Sequence, residues 1–425
     1  MRAPTEAPPA TALPRLLALS PAAAPGLAAH LERWGPPPPG GPGLIGEVER
    51  AGLRGRGGAA FPTALKMRAV AARGAGRAVV VGNGVEREPV SFKDKALLAS
   101  APHLVLDGLV LAAEAVGASE AVLCIDRGAP DALRGVATAL TERSRHMPDP
   151  VPVRVAPAPG AYVAGEESAL VHWLNGGPAK PTYVPPRPFE RGVGRRPTLV
   201  DNVETLAHVA LIARFGAEWF RALGTPADPG SCLLSIGGDV TRPGVYEAPY
   251  GAGLADLIGM AGPSQAPQAV LVGGYSGAWV PVGAVSSLRF DSESLAGVEA
   301  GVGCAAISVL GAGRCGLMET ARAVRWMAGQ SAGQCGPCAN GLPALAEAFD
   351  QLVRGGHGSR AERRVAELAQ VVAGRGACHH PDGVIRMATS AIRVFAAEVA
   401  HHRELGPCGG HPGALTVPAG RPVWR

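Results

Sequence analysis

The stretch Gly52-Leu53-Arg54-Gly55-Arg56-Gly57-Gly58-Ala59-Ala60-Phe61-Pro62-Thr63-Ala64-Leu65-Lys66 decides how the rest of the chain is read. Three glycines within Gly55–Gly58 let the backbone turn tightly and approach a ligand closely. Arg56 lies inside the turn and Lys66 comes after it. Backbone N–H groups plus two cations suit a phosphate. An ordinary glycine-rich surface turn uses the same residue types. The spacing Gly55-x-Gly57-x-x-Ala60 also imitates a dinucleotide fingerprint, which requires a buried strand just before it. Glu47-Val48-Glu49-Arg50-Ala51-Gly52 is not such a strand, so that fingerprint is rejected.

Outward from the loop, residues 43–52 read as a short helix leading into it. Residues 78–81 form an apolar run ending at Gly82-Asn83-Gly84, a strand and a turn. Next come helical periodicity over 104–116, a strand over 121–125 and a helix over 131–143. This alternation predicts an α/β domain with a largely parallel sheet. Residues 176–198 read as loop and 204–223 as a long closing helix. The expected domain runs over 43–228. A small α+β module of ubiquitin-like size is expected at 229–300. Its strands are placed at 233–237, 244–247, 269–273 and 278–282, with a helix at 254–260. The third unit, 301–405, opens with a strand over 301–311. Helices at 317–329, 340–354, 361–374 and 384–402 then predict a bundle. Residues 406–425 are a tail. Residues 1–42, with Pro36-Pro37-Pro38-Pro39, are expected to form a flexible arm.

At 425 residues the chain is long enough for two or three cores. Its net charge of +5 is mild, and basic and aromatic residues do not interleave, so no nucleic-acid partner is expected. The apolar runs are too short for membrane insertion, and no secretory signal opens the sequence. A cytoplasmic location is expected, with peripheral attachment to a membrane complex through partners. Lysine is scarce: Lys66, Lys93, Lys95 and Lys180 are all there is. A compact point charge and an arginine fork are not interchangeable, so each surviving lysine is informative. The eight cysteines cluster toward the C-terminus, which reads as a metal or cluster site rather than a disulfide framework.

Four more stretches carry chemistry. Asn83-Gly84-Val85-Glu86-Arg87-Glu88-Pro89-Val90-Ser91-Phe92-Lys93-Asp94-Lys95 comes after a strand end, where α/β sheets bind ligands. A solvated charged loop is the plain alternative. Gly160-Ala161-Tyr162-Val163-Ala164-Gly165-Glu166-Glu167 places acids at a helix start, which capping alone would also explain. In Arg196-Pro197-Thr198-Leu199-Val200-Asp201-Asn202, Asp201 or Asn202 can cap the next helix. Gly333-Gln334-Cys335-Gly336-Pro337-Cys338 is a CxxC between helices, pointing to metal or cluster ligation or to a redox dithiol. The βαβ context of a thioredoxin-type dithiol is missing. Cys378 is a third candidate ligand, or a buried small hydrophobe.

Taken together and in this order, the five stretches resemble the NADH-binding flavoprotein subunit of respiratory complex I, the 51-kilodalton type. That family includes diaphorase subunits of NAD-linked hydrogenases and formate dehydrogenases. The resemblance covers roughly residues 44–400, including the small ubiquitin-like (soluble-ligand-binding-like) unit and then a helical bundle. It implies an FMN site with NADH on the flavin and an iron–sulfur cluster, of 4Fe–4S type, in the bundle. It places Gly55, Arg56, Gly57 and Lys66 around FMN, with Phe61 stacking on the NADH adenine. Asn83 and Glu86 meet the flavin, and Glu88 faces NADH. Tyr162, Gly165, Glu166 and Glu167 form the next wall, and Val200, Asp201 and Asn202 close it. Glu88, Glu166 and Glu167 are the implied catalytic acids. The family's first cluster cysteine is Ala332 here. Cys335, Cys338, Cys378 and Cys408 are therefore the expected ligands, with Cys315, Ser331, His379 or His380 as other sources of the fourth. Val85 stands where the family has Asp, and Arg87 and Val90 replace small residues. The implied partners are NAD(H) and iron–sulfur or other electron-transfer subunits. The other reading is a paralogue that binds flavin or metal in an assembly without oxidising NADH.

Overall fold

A computed structural model describes residues 9–17, 26–355 and 359–425. The first sheet has four strands: β1 (Ala78–Gly84), β2 (Ala118–Asp126), β3 (Val153–Ala158) and β4 (Thr198–Asn202). They lie in the order β3-β2-β1-β4 and every neighbouring pair is parallel. Such a sheet needs cover on both faces. Alternate residues serve each face: Val80 and Leu123 enter one core, Val79, Val81 and Val122 the other. The strands β3 and β4 extend beyond what sequence periodicity shows.

One face is covered by the helices Pro102–Val116 and Val203–Arg221. Proline at the first turn and left-handed Gly117 bound the former, and the Asn202 side chain caps the latter. Their backbones meet at Gly108, where an added Cβ would lie 1.7 Å from the Leu206 carbonyl oxygen. Among the described residues no single helix is long and apolar enough to cross a membrane.

The segment expected to be a flexible arm is partly packed. Residues 1–8 and 18–25 of it lie outside the described residues. Leu16 is fully buried, and Arg15 donates to the carbonyls of Trp219 and Phe220. The helix Leu27–Trp34 docks through His30, whose Nε2 is 2.8 Å from Asp107, a carboxylate shared with Arg143 and Arg214.

The second sheet comprises β5 (Ser231–Gly238), β6 (Gly244–Pro249), β7 (Pro267–Val272), β8 (Ala278–Pro281) and β9 (Ala306–Gly311). Its order is β6-β5-β9-β7-β8. Strand β9 was expected to open the helical unit, but it is the fully buried centre of this sheet. The helical unit starts at Gly316–Gly329 and continues with Leu342–Arg354, Arg360–Val372, His380–Val394 and Ala396–Leu405. The single helix expected over 384–402 is thus two helices that meet at Phe395.

Gly108→Ala is expected to destabilise the protein by about 1–3 kcal/mol or to prevent folding, because two packed backbones must separate. Gly46→Ala, on the helix Gly43–Ala51 with only the Arg50 side chain near, is expected to be neutral or slightly stabilising. Urea unfolding of both variants checks the pair.

Candidate active site

The candidate site lies where β1 and β4 end side by side, with Gly82 opposite Asp201 and Asn83 opposite Asn202. The glycine loop folds over this edge and continues into the helix Thr63–Gly74. That helix carries Lys66 to the end of β4. Its Nζ donates to the Val200 carbonyl at 3.0 Å and lies 3.6 Å from Glu167 and 3.9 Å from Asp201. Burial acts to lower the Lys66 pKa, but Asp201 and Glu167 outweigh it and raise it, so the ammonium persists. Burial pushes the Asp201 carboxyl up to about 6, against the pull of Lys66. Its Oδ2 has no hydrogen-bond partner among the described residues.

Beside them, Gly57, Gly58, Ala59, Ala60 and Phe61 are exposed. The Gly55 N–H closes the loop onto the Phe61 carbonyl, and the Arg56 N–H donates to Thr205 Oγ1. The N–H groups of Gly57, Gly58 and Ala59 make no hydrogen bond within the described residues. Unused donors, a held ammonium and an orphaned buried carboxylate oxygen fit a phosphorylated polar cofactor. The Phe61 ring is half exposed above this edge.

A second wall comes from the loop after β1. The Asn83 amide donates to the Gly165 carbonyl at 2.8 Å, and its Oδ1 accepts the Val85 N–H. Gly165 cannot be replaced freely, since a Cβ there would lie 2.7 Å from the Val85 carbonyl oxygen. Glu88 is buried at the junction with the second sheet. It accepts the Tyr162 hydroxyl at 2.9 Å and the Tyr275 N–H at 3.1 Å, and the Val90 N–H supports the same carboxylate. Tyr162 also bonds Ser276 and stands edge-on to Trp326. Tyr275 and Ser276 escaped the sequence reading. The glycine pair Gly273-Gly274 at the end of β7 was the available signal.

Several expected ligand contacts turn out to be internal. The Arg56 guanidinium points away from the loop mouth. It donates to the carbonyls of Arg54, Pro229 and Ser231 and lies over Tyr250. Only its backbone remains at the loop. Glu86 is buried and closes the start of the helix Lys93–Ser100, accepting from Ser91, Asp94 and Lys95. Glu166 caps the helix Glu167–Leu174 through the N–H groups of Ser168 and Ala169. Asn202 caps the Glu204 N–H and donates to Asp94. These side chains are occupied because local capping is satisfied first. Arg87, the larger residue in this loop, pairs with Asp126 and donates to the Gly160 carbonyl, bracing the loop against β2.

At the bundle, Cys335 and Cys338 interact directly and Cys378 lies within electrostatic reach of both. Burial acts to raise the Cys335 thiol, but N–H groups of Ala377 and Cys338 and the Cys338 side chain bring it below its ordinary value. Burial and the neighbouring Cys335 push Cys338 up to about 12, against a hydrogen bond from Ser331. Three mutually interacting thiols with N–H donors suit an iron–sulfur cluster. Cys408 instead packs with Cys315 and His402. Of the other named sources, His379 is exposed and His380 gives its Nε2 to the Met327 carbonyl. The Ala332 carbonyl, where the family has a cysteine, accepts from Lys180 at 3.1 Å.

Burial raises the Glu88 carboxyl to about 7, despite its bonds from Tyr162 and Tyr275. The folded state therefore keeps a proton that the unfolded chain has already lost, and stability falls as pH rises from about 5 to 7. Glu88→Gln stays neutral throughout and is expected to remove up to about 3 kcal/mol of that fall. Thermal melts of both proteins at pH 5 and pH 8 check this; parallel curves would contradict it.

Comparison with known proteins accounts for most of the chain. A family model of the Nuo51 FMN-binding domain matches residues 48–211. One of the NADH-ubiquinone oxidoreductase-F iron-sulfur binding region matches residues 313–402. The second F-type subunit of NADH-quinone oxidoreductase in Rhizobium meliloti (strain 1021) is 31% identical over 372 residues, covering 84% of this chain and 88% of that protein. The NAD-reducing hydrogenase HoxS subunit alpha of Cupriavidus necator is 34% identical, covering 71% of this chain and 51% of that one. A solved NAD+-reducing NiFe-hydrogenase in the H2-reduced state superposes with a TM-score of 0.80 at 33% identity. The match covers 85% of this chain, which spans 63% of the hydrogenase chain. With its glycine loop, strand-end carboxylates and paired cysteines in the matched regions, the chain belongs to the F-type family of NADH-quinone oxidoreductase subunits.

Proposed function

We propose that the chain is a flavin-dependent NADH oxidoreductase subunit, passing electrons through an iron–sulfur cluster to a partner electron-transfer subunit. The observation that carries it is the meeting of Lys66, Asp201 and Glu167 beside the unused N–H groups of Gly57–Ala59 at the ends of β1 and β4. FMN, when bound, supplies the hydride-accepting ring and the conversion of a two-electron donor to one-electron carriers. The chain's own work is positioning, since hydride transfer needs donor and acceptor about 3–3.5 Å apart and aligned.

In this reading the glycine loop binds the FMN phosphate through its backbone, and Lys66 holds negative charge near the strand ends. Asn83, Gly165 and Val200 shape the wall without adding bulk. Phe61 offers an aromatic face to the adenine of NADH. Glu88, buried and fixed by Tyr162 and Tyr275, lies behind the dinucleotide side of the site, and Glu167 keeps Lys66 oriented. Cys335, Cys338 and Cys378 hold the cluster, with the fourth ligand supplied from outside this trio. The electron acceptor in this reading is a partner subunit, a reading supported by relatives that are named as subunits of an oxidoreductase and of a hydrogenase. The protein then acts at the cytoplasmic side, as a peripheral component. A second reading, a subunit that binds flavin or metal in an assembly without oxidising NADH, is favoured by Arg87, whose guanidinium ties the loop after β1 to Asp126 and the Gly160 carbonyl.

Anaerobic purification and then NADH addition separate the two. Bleaching of the flavin absorption band is expected. Bound flavin that ignores NADH would select the second reading. Lys66→Met is expected to weaken FMN retention roughly 10- to 100-fold, from the loss of a charge-assisted contact.

A further inference from the structure

Cys315, His402 and Cys408 stand outside the site just described. Cys315 precedes the helix Gly316–Gly329 and caps it, its Sγ accepting the Met318 N–H at 3.4 Å. His402 lies on the helix Ala396–Leu405, and Cys408 lies just past that helix. Cys315 and His402 are fully buried, and Cys408 is half-buried. Their ligand atoms all lie within 4.8 Å of one another. A tetrahedral ion with metal–sulfur bonds of about 2.3 Å and metal–nitrogen bonds of about 2.0 Å spaces its ligands by roughly 3.5–4 Å. The separation of Cys315 Sγ and His402 Nε2 is already 3.6 Å.

The histidine is set up as a ligand. Its Nδ1 is 3.0 Å from the Val353 carbonyl oxygen. A carbonyl only accepts, so Nδ1 carries the proton and Nε2 the lone pair. That lone pair faces the Cys315 sulfur and the Cys408 N–H, 3.1 Å away. Glu398 sits one turn earlier on the same helix. Its Oε2 is 3.3 Å from Cys315 Sγ and accepts the Leu317 N–H. None of these residues is among the three thiols assigned to the cluster.

We propose that Cys315, His402 and Cys408 bind a single zinc-class ion, separate from the iron–sulfur site, that clips the segment after the bundle in place. Two thiolates and an imidazole form a soft donor set that selects zinc over magnesium or calcium. Water or the Glu398 carboxylate completes the tetrahedron. Binding releases the two thiol protons and forms only metal–ligand bonds, with no change of oxidation state.

The clip acts on the segment beyond Cys408. The N–H groups of Gly413 and Ala414 close on the buried Glu319 carboxylate. Ala414 and Leu415 enter the bundle core, and the Thr416 carbonyl accepts the Tyr275 hydroxyl at 2.6 Å. Tyr275 is the residue whose N–H holds Glu88. The ion thus fixes one end of a segment whose other end braces the candidate active site.

Metal analysis of the full chain, with zinc, iron and sulfide measured together, tests this. About one zinc per chain is expected in the wild type, with iron counted separately. Cys408→Ser and Cys315→Ser are expected to lose zinc and keep iron, whereas Cys335→Ser loses iron and keeps zinc. Cobalt(II) added to zinc-stripped protein is expected to give thiolate charge-transfer absorption, absent in Cys408→Ser. Zinc removal is also expected to expose residues 406–416 to limited proteolysis. Zinc-free wild type without a cobalt spectrum, zinc retained in full by Cys408→Ser, or a Cys315–Cys408 disulfide in the isolated protein would each overturn the proposal. Failure of NADH to bleach flavin would leave these readouts untouched, so the two proposals fail independently.

Discussion

The Glu204 carboxylate is fully buried, and the candidate site is assembled around it. A charge in that position must be met on every side, because desolvation costs several kcal/mol. Lys93 approaches to 2.8 Å, the Leu233 N–H to 2.9 Å and the Arg56 guanidinium to 4.0 Å. Next to it, burial and then the nearby arginines keep the His208 imidazole neutral. Each partner belongs to a different part of the chain: the helix Lys93–Ser100, the second sheet and the glycine loop. Satisfying one carboxylate therefore fixes the relative placement of three segments distant in sequence.

Around that anchor, division of labour is local. The helices Lys93–Ser100, Glu167–Leu174 and Val203–Arg221 all begin at the same edge of the first sheet. Glu86, Glu166 and Asn202 close their first turns. Helix N-termini so capped offer fewer free donors to an anion. Among the described residues the N–H groups of Gly57, Gly58 and Ala59 in the glycine loop stay unspent, because they lie in an exposed turn that neither helix nor sheet satisfies.

Much of this was legible in the sequence. Short apolar runs at β1 and β2 and the helical periodicity of 104–116 mark the α/β core, and the glycine loop and CxxC mark the chemistry. What was hidden depends on non-local contacts. Strand β3 contains Pro157 and received no assignment from the sequence, and β4 is only five residues long. Strand β9 has no sequence neighbour in its sheet, pairing instead with β5 and β7. Arg56, Glu86 and Glu166 were recognised as polar residues at a site, yet residue type does not say whether a side chain faces a ligand or its own backbone. Only the fold shows that Arg56 turns to Pro229 and Ser231.

The far end of the chain carries a different implication. The Trp424 carbonyl accepts the Ala179 N–H, Lys180 lies over the Trp424 ring, and Arg127 donates to the Arg425 carbonyl. Three contacts thus tie residues 424–425 to the loop over 179–180 and to the end of β2, so the outer surface of the first domain is finished by a segment far away in sequence.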